Sequence, residues 1–191
     1  MPGAPGTAYE SFAKARGLVA ADGFAPGPVT PLLAKGGRLG SSYSGQLTEG
    51  VPGMIARYEA ALTFNVVYAP VLESRAFIPR LVCERKGRVT DTTQYGFEIR
   101  SSRVWTESVR LNERFKVTTS PFQDDNWMLQ LFSPTFIDWL GQQSPGDFSF
   151  EVAYGSLLCS IEENDPDEGR LAALWDASAV VAKRILEESR E

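Results

Sequence analysis

Histidine is missing from all 191 residues. It is the commonest metal ligand and the side chain whose ordinary pKa suits proton transfer near neutrality. Its absence excludes a Ser-His-Asp triad, a Cys-His pair and a zinc site of the usual mixed kind. Cysteine is scarce too, at two residues. Cys83 and Cys159 each lie inside an apolar run, Leu81-Val82-Cys83 and Leu157-Leu158-Cys159, which predicts core thiols. A disulfide is uncommon in a reducing compartment, and neither position reads as the helix N-terminus that activates a thiolate. No stretch approaches the roughly eighteen apolar residues of a transmembrane helix. The start, Met1-Pro2-Gly3-Ala4-Pro5-Gly6, lacks the basic and apolar regions of a signal peptide. Asn-x-Ser/Thr is also absent. Together these absences predict a cytoplasmic chain with no direct membrane insertion.

What is present fits one substantial core. Hydrophobic content is 43%, aromatic content 11% and net charge −5, ordinary values for a packed domain. The charge is unevenly spread. Residues 1–74 carry five basic and five acidic side chains, residues 75–116 ten basic and five acidic, and residues 117–191 four basic and fourteen acidic. Such polarity favours head-to-tail contact or a charged partner if blocks in sequence become patches in space. The acidic total argues against a nucleic-acid binder, whose affinity rests on neutralising phosphates.

Eleven of seventeen glycines and six of twelve prolines fall in residues 1–53. Residues 1–38 are therefore expected to be a loop-rich segment with one short helix, whose face is Tyr9, Phe12, Ala13 and Arg16 and whose stop is Gly17. Residues 39–191 are expected to form a single domain. A small polar run from Gly40 to Thr48 precedes a turn at Glu49 to Gly53. The stretch Met54 to Ala69 alternates as a strand, with Ala56, Tyr58, Ala60, Leu62, Phe64 and Val66 on one side and a bend or a break near Ala60-Ala61. Arg80 to Arg85 reads as another strand. Val109 to Val117 gives the cleanest alternation, with Val109, Leu111, Phe115 and Val117 inward and Arg110, Asn112, Arg114 and Lys116 outward. Its cations are expected either to protect an edge or to bind an anionic partner.

Beyond Pro121, helical spacing takes over. Asp124-Asp125-Asn126 caps a helix bearing Trp127, Met128, Leu131 and Phe132. Ser133-Pro134 starts a second, with Phe136, Ile137, Trp139 and Leu140 apolar and Gly141 as the end. A hairpin turns at Tyr154-Gly155. The last helix, capped by Asp165 with Pro166 first and Glu168 three residues on, carries the stripe Leu171, Leu174, Trp175, Ser178, Val181, Ala182 and Ile185. The expected fold is α+β: a single antiparallel sheet with helices on one face and a long C-terminal helix.

No local motif offers chemistry, which leaves two carboxylates distant in sequence but convergent in space, about 5–10 Å apart, as the one route to a hydrolase. Lys35-Gly36-Gly37-Arg38 places its lysine before the glycines and a strand after them, the reverse of a phosphate loop. The acidic run Glu162 to Glu168 contains Pro166, lacks a calcium loop's spacing and serves a helix start. Gly40-Ser41-Ser42-Tyr43-Ser44-Gly45 lacks the spacing of a nucleophile elbow. The dense aromatics Trp127, Phe132, Phe136 and Trp139 usually mean core, with a ligand-lining pocket as the alternative.

The strand end Phe115-Lys116-Val117, the helix end Phe136-Ile137-Asp138-Trp139-Leu140, the hairpin Phe150-Glu151-Val152 with Leu157-Leu158-Cys159 and the long final helix make a recognisable order. From about Gly40 onward the chain resembles an uncharacterised family of bacterial domains, frequent in actinobacteria and often attached to membrane helices. The resemblance implies no established activity. This chain departs from it in having no membrane segment, so a role beside a membrane would need a partner. The expectation is a non-enzymatic interaction or structural domain, without cofactor or metal, that binds another protein or itself through Arg110, Arg114 and Lys116. The alternative is a small-molecule or lipid-binding domain using Trp127, Phe132, Phe136 and Trp139.

Overall fold

The computed structural model describes residues 5–22, 30–76, 78, 80–87, 102–104, 106, 108–120 and 125–189. Its centre is a nine-stranded sheet in which every pairing is antiparallel. The strands are β1 (Val19–Ala21), β2 (Arg38–Thr48), β3 (Val51–Glu59), β4 (Thr63–Pro70), β5 (Arg80–Arg85), β6 (Ser102–Val104), β7 (Phe115–Thr119), β8 (Ser149–Ala153) and β9 (Ser156–Glu162). Their spatial order is β1-β2-β3-β4-β9-β8-β5-β7-β6. The hairpin made last in sequence thus sits in the middle, joining β4 to β5. Its turn places Tyr154 at φ 49 and Gly155 at φ 84, the two left-handed residues a tight two-residue hairpin requires.

Among the described residues five α-helices accompany the sheet: α1 (Pro5–Arg16), α2 (Val109–Arg114), α3 (Asp125–Leu131), α4 (Pro134–Gln142) and α5 (Glu168–Glu188). The main core lies between helices and sheet. It joins Ile55, Val67, Cys83, Phe150, Cys159 and Ile161 of the strands to Phe12, Leu131, Phe136, Leu174 and Trp175 of the helices. The fold class is therefore the α+β antiparallel sheet that periodicity predicts. All seven stripe residues of α5 are buried. Its cap is Asp167 rather than Asp165, with the Asp167 carboxylate accepting from Arg170 N at 2.8 Å; Pro166 precedes the helix and is itself buried. α4 starts at Ser133-Pro134 as expected, but it runs past Gly141 to Gln142.

Two differences matter for the site. Val109 to Arg114 is helical, and β7 begins only at Phe115. Ser108 Oγ accepts from Leu111 N, while Asn112 exchanges hydrogen bonds with the Thr106 backbone, accepting at 3.1 Å and donating at 2.6 Å. These local bonds supply a cap and a brace, and so outweigh the strand-like alternation. In addition, the segment before residue 39 contributes a strand to the sheet and a helix to the core. β1 joins the sheet beside β2. α1 packs on α5 through a Phe12–Trp175 edge contact at 6.1 Å and an Arg16–Asp176 ion pair at 2.8 Å.

Residues Thr30 to Gly37 cross the opposite face of the sheet. Leu32 packs there with Ala56, Tyr58, Phe64, Val66 and Leu158 in a second cluster. Glu151, buried on β8, accepts from Leu32 N at 2.9 Å and from Thr30 Oγ1 at 3.1 Å. Tyr58 Oη accepts from Gly37 N at 2.8 Å. The segment is thus pinned at both ends by polar side chains buried in the sheet. β3 and β4 are consequently covered on both faces, which simple alternation did not indicate.

Candidate functional site

The expected row of outward cations does not form. Arg110 and Arg114 lie one turn apart on the exposed side of α2. Lys116 is exposed on β7, across from Glu84 in the strand register and on the other face from Phe115. Register instead brings two different residues to α2. Arg85, at the end of β5, pairs with Phe115, and Lys86 N donates to Arg114 O at 2.8 Å. The Arg85 guanidinium lies over the Phe115 ring, 5.2 Å from its centroid. Arg114 Nη1 donates to the Gly141 carbonyl near the end of α4, the pole of a helix that attracts a cation. Arg85, Lys86, Arg110 and Arg114 therefore form a cationic corner.

No carboxylate of the described residues makes an ion pair with any of these four. Burial, and after it the charge of Arg114, hold the Arg85 guanidinium below its usual pKa, with Asp147 pulling the other way. The basic block of the sequence has thus become, in part, a patch in space.

The acidic block meets a different fate. Arg170 bridges Asp147 at 2.6 Å and Glu163 at 2.8 Å, and Asp147 also accepts from Glu162 N. Arg57 binds Glu59 and the Asn164 carbonyl. These contacts fasten the start of α5 to the ends of β8 and β9. Among the described residues no group of three or more His, Cys, Asp or Glu side chains is placed to hold a metal ion.

Three of the four expected aromatics, Phe132, Phe136 and Trp139, come together, and Trp127 shares only the wider core with them. Trp127, Phe132 and Phe136 are buried, and Trp139 is half-buried. Phe136 stacks on Trp139 at 5.6 Å and touches Phe132 at 6.0 Å and Phe150 at 6.2 Å. They belong to the main core, and around Phe136 the space between rings is taken by other rings. Trp127 Nε1 is buried with no hydrogen-bond acceptor among the described residues.

Cys83 and Cys159 are free, fully buried and separated by Phe150, which pairs with one on each side. Burial pushes the Cys159 thiol up to about 12 and that of Cys83 higher still. Burial also raises the Tyr9 phenol, whose hydroxyl donates to the buried Asn65 at 2.7 Å. Each folded pKa stands above its unfolded value. The stability these groups contribute is therefore fully present below the unfolded thiol pKa of about 8.5 and is lost as pH rises toward the folded values. Thermal midpoints should fall steadily above pH ~9, with a shallower fall in the Cys83→Ala/Cys159→Ala variant. Rapid labelling of either thiol in the folded chain at neutral pH would contradict the burial that underlies this.

Thr30, Asn65, Arg85 and Lys86 were not singled out by sequence reasoning, and Tyr9 and Glu151 stood only as members of a helix face and a hairpin. A carboxylate within the apolar run Phe148 to Ala153 was a visible signal for Glu151. For Arg85 and Lys86 there was none, since strand register brings them to Arg110 and Arg114.

No protein-family model matches the chain, and no curated protein matches it. Its fold is similar to the crystal structure of the mycobacterial trehalose monomycolate transport factor A, TtfA. The TM-score is 0.61 with 12% sequence identity, over 97% of this chain and 94% of that one. At that identity the likeness is one of fold. No helix of the described residues is long and apolar enough to cross a membrane.

Proposed function

We propose that this chain is a non-enzymatic docking domain that serves a larger assembly by binding an anionic partner protein at its cationic corner. The observation that carries the reading is the set Arg85, Lys86, Arg110 and Arg114, held on a strand end and a helix with no ion pair to a carboxylate among the described residues. Cations fixed on rigid elements steer and orient an acidic partner. The shared fold with a transport factor supports an accessory role by analogy. The test is recovery of complexes from the native host across a salt series, using wild type and an Arg110→Glu/Arg114→Glu variant. A defined complex at ~50 mM salt should dissolve by ~500 mM, where screening is nearly complete. The variant should not form it. A complex indifferent to both salt and charge reversal would overturn the assignment of the corner.

One observation favours a second reading, the binding of a small apolar ligand beside Trp127 of α3: the buried Trp127 Nε1 donor has no acceptor among the described residues, and such groups are costly. A ligand bearing a carbonyl would supply one. Tryptophan fluorescence titrated with a long-chain fatty acid tests it, and an unchanged spectrum at saturation would remove it.

A further inference from the structure

We propose that Arg85 and Arg114 form the floor of a binding site for a phosphate monoester, with Arg110 and Lys86 at its rim. The inference rests on the corner being the docking surface and names the chemical group it takes. Two guanidiniums brought together by strand pairing repel each other, and each is anchored so that neither swings away. Arg85 is held over the Phe115 ring, and Arg114 is tied to the Gly141 carbonyl. Lys86 is fixed beside them by its backbone bond to Arg114 O. An anion seated between them relieves the repulsion, and its charge-assisted hydrogen bonds are stronger than neutral ones.

The number and arrangement of donors select among anions. One guanidinium fork satisfies a planar carboxylate. Two guanidiniums arriving from different elements, with further cations at the rim, suit a group with three acceptor oxygens and nearly two negative charges. A phosphate monoester has both properties. A phosphodiester carries a single charge and offers fewer free oxygens. The same monoester chemistry is found on a free phosphorylated metabolite and on a phosphorylated side chain of a partner.

Phosphorus NMR titrations with phenyl phosphate and with a phosphoserine peptide distinguish the two sources. Binding of either at a Kd of about 1 mM or tighter supports the site, and the tighter of the two identifies the source. Arg85→Ala and Arg114→Ala should weaken it at least tenfold. Because both arginines also pack, Arg85→Lys and Arg110→Ala serve as gentler variants and should weaken binding about two- to fivefold. Melting curves establish that each variant is folded. With ~10 mM phenyl phosphate the wild-type melting temperature should rise about 3–5 °C beyond that of the arginine variants.

Equal affinity in folded wild type and arginine variants overturns the site. So does preference for phosphatidylglycerol vesicles over the monoester, which points to a lipid diester. Binding of poly-glutamate without phosphate overturns the phosphate inference and leaves the docking reading intact. Phosphate binding without any salt-sensitive complex does the opposite.

Discussion

Replacing Phe136 with alanine is expected to lower the unfolding free energy by about 3–5 kcal/mol, the usual cost of truncating a buried phenylalanine. Its ring contacts Phe132, Trp139 and Phe150, thereby joining α3, α4 and β8. Truncation leaves a void that these rigid neighbours fill only partly, so the loss exceeds the transfer term alone. In a melt this corresponds to a fall of about 6–20 °C for a chain of this size. The result decides between core and pocket. If the four aromatics lined a ligand-accessible hollow, the alanine variant would lose ligand affinity and little stability. A change below about 1 kcal/mol would therefore sink the core assignment.

Glu151→Ala is expected to cost about 3 kcal/mol. Its side chain leaves almost no surface exposed, and its oxygens receive Leu32 N and Thr30 Oγ1. Removing it strands two buried donors at once and frees the segment that covers the second apolar cluster. Leu32 and the side chains beneath it should then exchange amide hydrogens and meet protease sooner than α5 does. Hydrogen exchange at Leu32 is the direct readout. Unchanged protection there, with a melting temperature within about 2 °C of wild type, would mean that Tyr58 alone holds the segment. Glu151→Gln should behave better than alanine because it keeps an acceptor oxygen.

The long helix, the final hairpin and the β3–β4 pair were legible in sequence because their patterns are local and uninterrupted. The α5 stripe keeps one periodicity from Leu171 to Ile185 within a helix of 21 residues, and Tyr154-Gly155 sits between two apolar runs. Val109 to Arg114 misled because six residues of helix show too few turns to reveal a period of 3.6. Alternation at Val109 and Leu111 matches a strand equally well. The signals that decided it were Ser108 and Asn112, which act through the backbone rather than through hydrophobic pattern. Buried polar partners were the least legible. Tyr9 and Asn65, or Thr30 and Glu151, meet only after distant segments pack. The cationic corner belongs to the same class. Arg85 and Arg114 become neighbours through the β5–β7 register, so sequence placed Arg114 in a cationic strand face with Arg110 and Lys116 and showed Arg85 only as the end of another strand.

The position of the β8–β9 hairpin also sets a timetable for synthesis. Among the described residues, strands β1 to β4 on one side and β5 to β7 on the other are joined as one sheet only through β8 and β9 between them. At ordinary translation rates the roughly forty residues from the end of β7 to the end of β9 take about two to eight seconds. During that interval the nascent chain holds two half-sheets, each presenting an open edge of β4 or β5 to its surroundings. A chaperone or an early partner has its longest opportunity there, and truncation before Ser149 should yield an aggregating product rather than a smaller domain.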